Sequence, residues 1–179
     1  ILGAQAIGKG NADKRIDVIA TMITMNGTVE DLKELELTYS PMFSTAKDVV
    51  NMAALVATNI LENRFKQIHV DEVRALVEKD AYILDVREVG EFANGHIKNA
   101  VNIPLSELRE RMNEIPKERT IYVHCRSAQR SYNAVMALLH NGYENVYNVS
   151  GSFLGICLYE YFNDQTKNRE PIVTQYNFR

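Results

Sequence analysis

The chain has 179 residues, of which 46% are hydrophobic and 24% are charged, a balance typical of folded proteins and unlike that of disordered ones. Its net charge of −3 gives no general reason to bind nucleic acid, and no apolar run approaches the roughly 18–20 residues that span a bilayer. Two cysteines are too few for a disulfide scaffold, which favours the reducing cytoplasm.

The first 65 residues show mainly helical patterns. Residues 1–8 alternate loosely between apolar and small side chains, which is compatible with a strand, and apolar spacing after Asp13 predicts a helix. Thr28 and Thr45 each stand three residues before an aspartate, which predicts two capping boxes and two further helices. The second of these, over 49–61, is apolar around most of its circumference, so we expect its missing cover to come from another chain or from other sequence.

From residue 66 onward, short apolar strands alternate with helices, which predicts an α/β fold with a parallel sheet covered by helices on both faces. We predict strands over 82–86, 100–103, 120–124 and 145–149, and helices over 70–79, 88–94, 105–115, 127–141 and 153–162. The sequence therefore predicts three segments: a mainly helical partial domain over 1–65, a sheet domain over 66–163 and a polar C-terminal tail over 164–179.

The strongest chemical signal lies at Cys125, which follows the central strand over 120–124 and precedes a helix. Ligands of open α/β sheets bind outside the carboxyl ends of the strands, and the free N–H groups of a helix N-terminus stabilise an anion there. Arg126 and Arg130 add two cations. We therefore predict that the pKa of the Cys125 thiol lies below its ordinary value and that Cys125 is a nucleophile. The alternative is a buried cysteine that acts as a small hydrophobic residue.

The spacing between Cys125 and Arg130 bears on the reaction that the nucleophile serves. Protein tyrosine phosphatases use a Cys-x5-Arg loop whose ring of amides fits a phosphate, whereas this chain has Cys-x4-Arg. A shorter loop contracts the ring of N–H donors and favours sulfur transfer over phosphoryl transfer. His124 points to the opposite face of its strand from Cys125, which argues against a role as general base. The four histidines have no metal-ligand spacing, so we expect no metal.

Three ordered motifs resemble the single-domain rhodanese family over about residues 68–162. They are Asp85-Val86-Arg87-Glu88-x-x-Glu91-Phe92-x-x-Gly95-His96-Ile97, Cys125-Arg126-Ser127-x-x-Arg130-Ser131 and Gly142-Tyr143-x-x-Val146-x-Asn148-Val149-x-Gly151. The resemblance implies a rhodanese-like sheet and a sulfurtransferase, in which Cys125 takes sulfane sulfur from a small donor as a persulfide and a thiol acceptor removes it. The implied persulfide- and substrate-binding loop consists of Arg126, Ser127, Ala128, Gln129, Arg130 and Ser131.

By the same resemblance, Asp85 and Arg87 support the loop, and either Asp85 or Glu91 holds the Arg130 guanidinium. An aspartate at the end of a strand is more often a structural partner than a base, and we interpret Asp85 in that way. Cys157 is most simply a core residue, and a role as a resolving thiol needs disulfide reach to the nucleophile.

Two positions depart from the family pattern. Ala128 stands where many rhodaneses have glycine, so we expect strain if the loop requires a positive φ there. Ser152 follows Gly151 where a second glycine is usual.

Residues 1–65 resemble the C-terminal end of the dimerisation domain of FAD-dependent pyridine nucleotide–disulfide oxidoreductases of the coenzyme A-disulfide reductase or NADH oxidase type. The likeness is carried by Ile1-Leu2-Gly3-Ala4-Gln5, Lys14-Arg15-Ile16-Asp17 and Tyr39-Ser40-Pro41-x-Phe43-Ser44-x-Ala46-Lys47-Asp48-x-x-Asn51-Met52-Ala53. It implies a piece of a longer parent that binds FAD and NAD(P)H and forms a homodimer through this segment, with Tyr39 as an interface candidate. The chain contains no Gly-x-Gly-x-x-Gly fingerprint, so we expect neither cofactor within it.

The sequence leaves two functions of different classes open. One is a catalytic rhodanese that passes persulfide sulfur to a flavin-dependent reductase, and the other is a non-catalytic rhodanese-like module that binds a partner. Cys125 with its arginines favours catalysis. A phosphatase or an arsenate-handling enzyme needs a loop that is one residue longer.

Overall fold

The computed structural model describes residues 1–178, which divide into two compact units between Arg64 and Phe65. Unit 1 holds the residues before this bond, and unit 2 holds the residues after it. No helix within the described residues combines the length and the apolar character needed to cross a bilayer.

Unit 1 contains three helices: α1 (Ala12–Thr24), α2 (Val29–Glu34) and α3 (Val49–Leu61). The capping box predicted at Thr28 is confirmed, because its hydroxyl accepts the Asp31 N–H and the Asp31 carboxylate accepts the Thr28 N–H. The cap predicted at Thr45 is wrong. Asp48 caps α3, while the Thr45 hydroxyl donates to the Lys47 carbonyl.

The rest of unit 1 is incompletely packed. Residues 1–8 form no strand, since a strand needs a neighbour to pair with and the described residues of unit 1 contain no other strand. Helix α3 buries one side against a small cluster that includes Leu32. Its other side leaves four apolar side chains exposed: Val49, Met52, Val56 and Leu61. This exposed face agrees with the incomplete cover expected for the helix.

Unit 2 has an α/β fold, which confirms the predicted class. Its five strands are all parallel and lie in the order β1-β5-β4-β2-β3. The strands are β1 (Lys66–Ile68), β2 (Tyr82–Asp85), β3 (Val101–Asn102), β4 (Ile121–His124) and β5 (Val146–Val149). The helices are α4 (Val73–Glu78), α5 (Val89–Ala93), α6 (Gln129–His140) and α7 (Ser152–Lys167).

The register of the sheet places three strand ends side by side. Asp85 at the end of β2 pairs with His124 at the end of β4, and Val123 of β4 pairs with Asn148 of β5. The chain therefore leaves three neighbouring strands at one edge of the sheet. Cys125 directly follows the middle one.

The helix predicted over 105–115 is wrong. This segment is a series of tight turns with one 3₁₀ turn at Met112–Glu114. The Tyr143 hydroxyl lies 2.6 Å from the Met112 carbonyl oxygen and 3.3 Å from that of Ile115. These tertiary contacts engage carbonyl groups in the segment, and local spacing does not reveal them. Strand β1 was not predicted from the sequence either, because its three residues are too few to show an alternation of apolar and polar side chains.

Helix α7 continues beyond its predicted end, to Lys167. The last buried residues of the helix are two carboxylates, Glu160 and Asp164, rather than apolar residues. A prediction from hydrophobic periodicity therefore ends the helix before its true end. Arg74 and Arg169 each form ion pairs with both carboxylates. The segment predicted as a separate tail from Asp164 onward therefore begins inside α7, where buried ion pairs hold it.

Candidate active site

Cys125 is buried at the carboxyl end of β4, with 1% of its surface exposed. The loop after it leads into α6. Hydrogen bonding by the backbone N–H groups of Ser127, Ala128 and Ser131, and by the Ser131 hydroxyl, favours the charged form of the Cys125 sulfur. We call the segment 125–131 the amide cradle. It concentrates hydrogen-bond donors on one sulfur atom.

The cradle decides the protonation state of the thiol. Burial raises the pKa of Cys125, because a low-dielectric surrounding disfavours the charged form. The hydrogen bonds from Ser131, Ser127 and Ala128 favour the thiolate and outweigh burial, so the pKa lies below its ordinary value. The direction agrees with the sequence prediction, but the leading favourable contributions come from hydrogen-bond donors rather than from guanidinium groups.

Ala128 closes the cradle in a strained conformation, as expected. Its φ is 76° and its ψ is −7°, which lie in the left-handed region that favours glycine. The Ala128 carbonyl accepts the Ser131 hydroxyl and the Tyr132 N–H, so the start of α6 holds the residue in place. The strain, of about 1–3 kcal/mol, is one consequence of directing the loop amides at the sulfur.

Arg130 is held beside the cradle by Glu91. Its Nη1 and Nη2 atoms donate to the two oxygens of the Glu91 carboxylate at 2.6 and 2.8 Å. This geometry decides between the two partners that the sequence left open, in favour of Glu91 over Asp85. The Arg130 guanidinium holds the pKa of the Glu91 carboxyl below its usual range. The guanidinium therefore has a carboxylate as its main partner.

Asp85 and Arg87 form a buried ion pair at the end of β2. The Asp85 carboxylate accepts hydrogen bonds from Nε, Nη2 and the backbone N–H of Arg87. Arg87 Nη2 also donates to the Gly95 carbonyl, and the guanidinium lies 4.0 Å from the centre of the Phe153 ring. The pair thus connects the turn after β2 with the start of α7. These contacts fit the interpretation of Asp85 as a structural partner.

His124 belongs to the same buried frame. Its Nδ1 atom lies 3.2 Å from the Cys125 carbonyl oxygen, and its Nε2 atom lies 3.6 Å from Asp85 Oδ2. Burial lowers the pKa of His124, against the opposing effect of the Asp85 charge. The imidazole is therefore neutral near pH 7 and does not add a positive charge behind the cradle.

The start of α7 contributes to the site in a way that the sequence motifs did not assign. The Phe153 N–H donates to the Cys125 carbonyl, and the Leu154 N–H donates to the Arg126 carbonyl. The Ser152 hydroxyl accepts the Cys125 N–H at 3.2 Å. A usable signal was present, because Ser152 follows β5, and β5 ends beside β4 at the same edge of a parallel sheet.

The remaining predicted site residues have different surroundings. Arg126 is partly exposed, while Ser127 and Gln129 are exposed on the outer side of the cradle. Cys157 lies fully buried in the apolar core of unit 2, where burial raises the pKa of its thiol. Tyr39 belongs to unit 1, where its side chain is exposed. Within residues 1–178, no group of three or more His, Cys, Asp or Glu side chains is arranged to hold a metal ion.

Comparisons with known proteins bear on both units. A family model described as a rhodanese-like domain matches residues 69–158. The chain is similar to the solved structure of reduced Bacillus anthracis CoADR-RHD, with 46% identity and a TM-score of 0.75, over 79% of this chain and 25% of that one. It is also similar to an NAD-dependent persulfide reductase from A. fulgidus, with 39% identity and a TM-score of 0.72, over 82% of this chain and 26% of that one.

A curated sulfurtransferase from Allochromatium vinosum is 38% identical over 76 residues, which are 42% of this chain and 71% of that protein. The chain spans only about a quarter of the length of the two solved structures. Their matches cover a larger share of this chain than unit 2 contains, so the likeness extends into unit 1.

Proposed function

Because the chain belongs to the rhodanese family, we propose that it carries sulfane sulfur as a persulfide on Cys125 and passes it to a thiol acceptor. The observation that supports this most directly is the amide cradle, which places Cys125 between the end of β4 and the start of α6, where hydrogen bonding by the N–H groups of Ser127, Ala128 and Ser131 lowers the pKa of the thiol. Such donors stabilise a thiolate, which is the nucleophilic form of cysteine.

Loading and discharge are two displacement reactions at sulfur. In loading from thiosulfate, the Cys125 thiolate forms a bond to the outer sulfur of the donor, and the donor's sulfur–sulfur bond breaks and releases sulfite. In discharge, an acceptor thiolate forms a bond to the outer sulfur of the protonated persulfide. The bond to Cys125 Sγ then breaks, and its electron pair remains on Sγ as a thiolate.

The loop favours sulfur over phosphate as its ligand. Cys125 and Arg130 enclose one residue fewer than the phosphatase loop, which leaves a smaller ring of amides. The Arg130 guanidinium, which a phosphate dianion would need as a partner, is already bound by both oxygens of Glu91. A single sulfur atom needs neither the wider ring nor a free guanidinium.

The domain serves a larger redox protein in this proposal. The similar proteins of known structure are a CoADR-RHD and a persulfide reductase, and this chain spans only about a quarter of the length of each. We assign unit 1 to the dimerisation domain of a parent reductase that uses FAD and NAD(P)H, with the exposed apolar face of α3 and Tyr39 at a homodimer interface. A loop with a buried Arg87 follows β2, and the amide cradle follows β4. Neither loop carries the Gly-x-Gly-x-x-Gly motif of a dinucleotide site, and the two displacement steps proposed at Cys125 use neither cofactor.

A non-catalytic binding module is the second candidate, and the burial of Cys125 is the observation that favours it. A sulfur with 1% exposure is poorly accessible to a large partner. Two displacement steps, however, require only that the outer sulfur reach the mouth of the cradle. The amides of 127, 128 and 131 bind the sulfur, which favours the catalytic role.

Mass spectrometry of the full 179-residue chain after treatment with thiosulfate or glutathione persulfide tests the proposal. We expect a mass increase of about 32 Da on the peptide that contains Cys125, and its loss on addition of a thiol. Cys125→Ser should abolish both the increase and sulfur transfer, whereas Cys157→Ala should retain them as a matched control. Sulfur transfer at the wild-type rate by Cys125→Ser would exclude the catalytic role.

A further inference from the structure

Ser152, the first residue of α7, has a backbone conformation that a side chain disfavours. Its φ is 48°, and it directly follows Gly151, whose φ is 80°. The residue is also fully buried. Glycine adopts a positive φ without a steric penalty, whereas a serine here is held in place by its surroundings. The fold therefore keeps a side chain at this position at an energetic cost.

The Ser152 hydroxyl lies within reach of both the backbone and the sulfur of Cys125. Its oxygen accepts the Cys125 N–H at 3.2 Å. Its hydrogen has three possible acceptors: the Val149 carbonyl oxygen at 3.2 Å, the Ser131 hydroxyl oxygen at 3.5 Å and Cys125 Sγ at 4.0 Å. A hydroxyl has one hydrogen, so it donates well to only one of these acceptors at a time.

We propose that Ser152 is a positioning residue for the nucleophile: its hydroxyl holds the Cys125 amide and turns its hydrogen from the Val149 carbonyl to the sulfur when the sulfur is charged. This inference rests on the proposed function and assigns a residue to one of its steps. A thiolate accepts a hydrogen bond more strongly than a neutral sulfur does, so the charge itself selects the acceptor.

Discharge of the persulfide is the step that this arrangement assists. When the acceptor takes the outer sulfur, the electron pair of the breaking bond remains on Cys125 Sγ, and a negative charge develops beside the Ser152 hydroxyl. In loading, the same thiolate is the attacking group, and stabilising it does not speed its attack. Loss of the hydroxyl should therefore slow discharge more than loading.

Other charged and titratable groups surround this point and stay unchanged in the test. Asp85, Arg87 and His124 form the buried frame at the ends of β2 and β4. Arg126 and Arg130 belong to the cradle, Glu91 pairs with Arg130, and Cys157 lies on α7. A shift in the thiol titration on substitution of Ser152 alone is therefore assignable to its hydroxyl or to its backbone strain. Two substitutions separate these two causes.

Ser152→Ala removes the hydroxyl and keeps the strained Cβ, whereas Ser152→Gly removes both. Each is made in the Cys157→Ala background, so that the ultraviolet absorbance of the thiolate reports Cys125 alone. We expect both variants to raise the midpoint pH of thiolate formation and to slow single-turnover discharge of the persulfide to glutathione on the order of tenfold. Ser150→Ala, two residues earlier, is the matched control and should change neither measurement.

An unchanged midpoint and an unchanged discharge rate in both variants would overturn the inference. It is equally overturned if Ser152→Gly behaves like the wild type while Ser152→Ala does not, because the hydroxyl then serves only to hold a strained backbone in place and is not needed by the sulfur. Circular dichroism verifies that each variant is folded. If the wild type takes up no sulfur, the proposed function fails by itself, and the absorbance titration still decides whether the Ser152 hydroxyl stabilises the thiolate.

Discussion

Cys125 and Cys157 are both buried in unit 2, yet the pKa of one thiol is lowered and the pKa of the other is raised. Burial raises the pKa of each. At Cys125, hydrogen bonds from three residues of the cradle reverse the effect and lower the pKa, whereas at Cys157 burial prevails, although Asn177 provides a backbone hydrogen bond. Burial therefore does not distinguish a structural cysteine from a reactive one. In this chain, the two cysteines differ instead in the number of hydrogen-bond donors that favour the charged sulfur.

The positions of the two residues explain the difference in donors. Cys157 lies in the middle of α7, where backbone N–H groups are bonded to carbonyls one turn earlier. Cys125 lies between a strand end and a helix start, where the N–H groups of the first turn have no intrahelical partner and can bind the sulfur. The same residue type thus acquires its chemistry from the local backbone.

The largest expected contrast is in alkylation of the native chain by iodoacetamide. We expect Cys125 to react faster than Cys157 by about a hundredfold near pH 7, because both are buried but only Cys125 has a lowered pKa and hence a large thiolate fraction. Because its pKa is lowered, the rate at Cys125 should reach half its maximum below the pH at which an ordinary thiol does. Peptide mapping after timed quenching measures both rates. Equal labelling of the two cysteines would contradict the comparison.

A smaller effect is expected when serine replaces each cysteine. Cys157→Ser places a hydroxyl in an apolar core and should lower the free energy of unfolding by about 2 kcal/mol. Cys125→Ser should lower it by less than about 1 kcal/mol, since the cradle can donate to an oxygen as it does to sulfur. Urea denaturation followed by circular dichroism measures both changes.

The two variants should rank the other way in sulfur transfer than in stability. At a temperature where both are folded, Cys125→Ser should lose sulfur transfer and Cys157→Ser should retain it. If Cys125→Ser lowered the free energy of unfolding more than Cys157→Ser did, the cradle would be needed for folding rather than for chemistry. A loss of transfer in Cys157→Ser would give that residue a part in the reaction.

The smallest expected effect concerns the strain in the cradle. Ala128→Gly removes a Cβ from a residue whose φ is 76°, so it should raise the free energy of unfolding by about 1 kcal/mol. The Cys125 titration should stay the same, because the Ala128 N–H is retained. Thermal denaturation and thiolate absorbance measure the two quantities. A lower stability would show that φ strain is not significant at this position.

Local features of the site could be predicted well. The strand, the cysteine and the helix that frames the loop were identified from apolar periodicity. The motif predicts strain at Ala128 if the loop needs a positive φ there, and the structure shows that it does, with a φ of 76°. The partner of Arg130 could not be chosen between Asp85 and Glu91, because the choice depends on how the turn after β2 folds against α6.

Contacts between distant segments account for what the sequence patterns missed. Helix α7 extends to Lys167 because Arg74, far away in the chain, pairs with the buried carboxylates of Glu160 and Asp164. The segment over 105–115 is not helical, and Tyr143 binds its carbonyl groups. Hydrophobic periodicity carries no information about either contact.

The amino-acid sequence by itself determined the alternation of strands and helices, and with it the edge of the sheet at which Cys125 emerges. It did so because periodicity and helix starts are properties of neighbouring residues. Only the tertiary structure decided which groups surround the sulfur. Ser152 meets Cys125 because β4 and β5 pair in parallel and end together, and a hydroxyl 27 positions away in the chain becomes a neighbour only when that pairing forms.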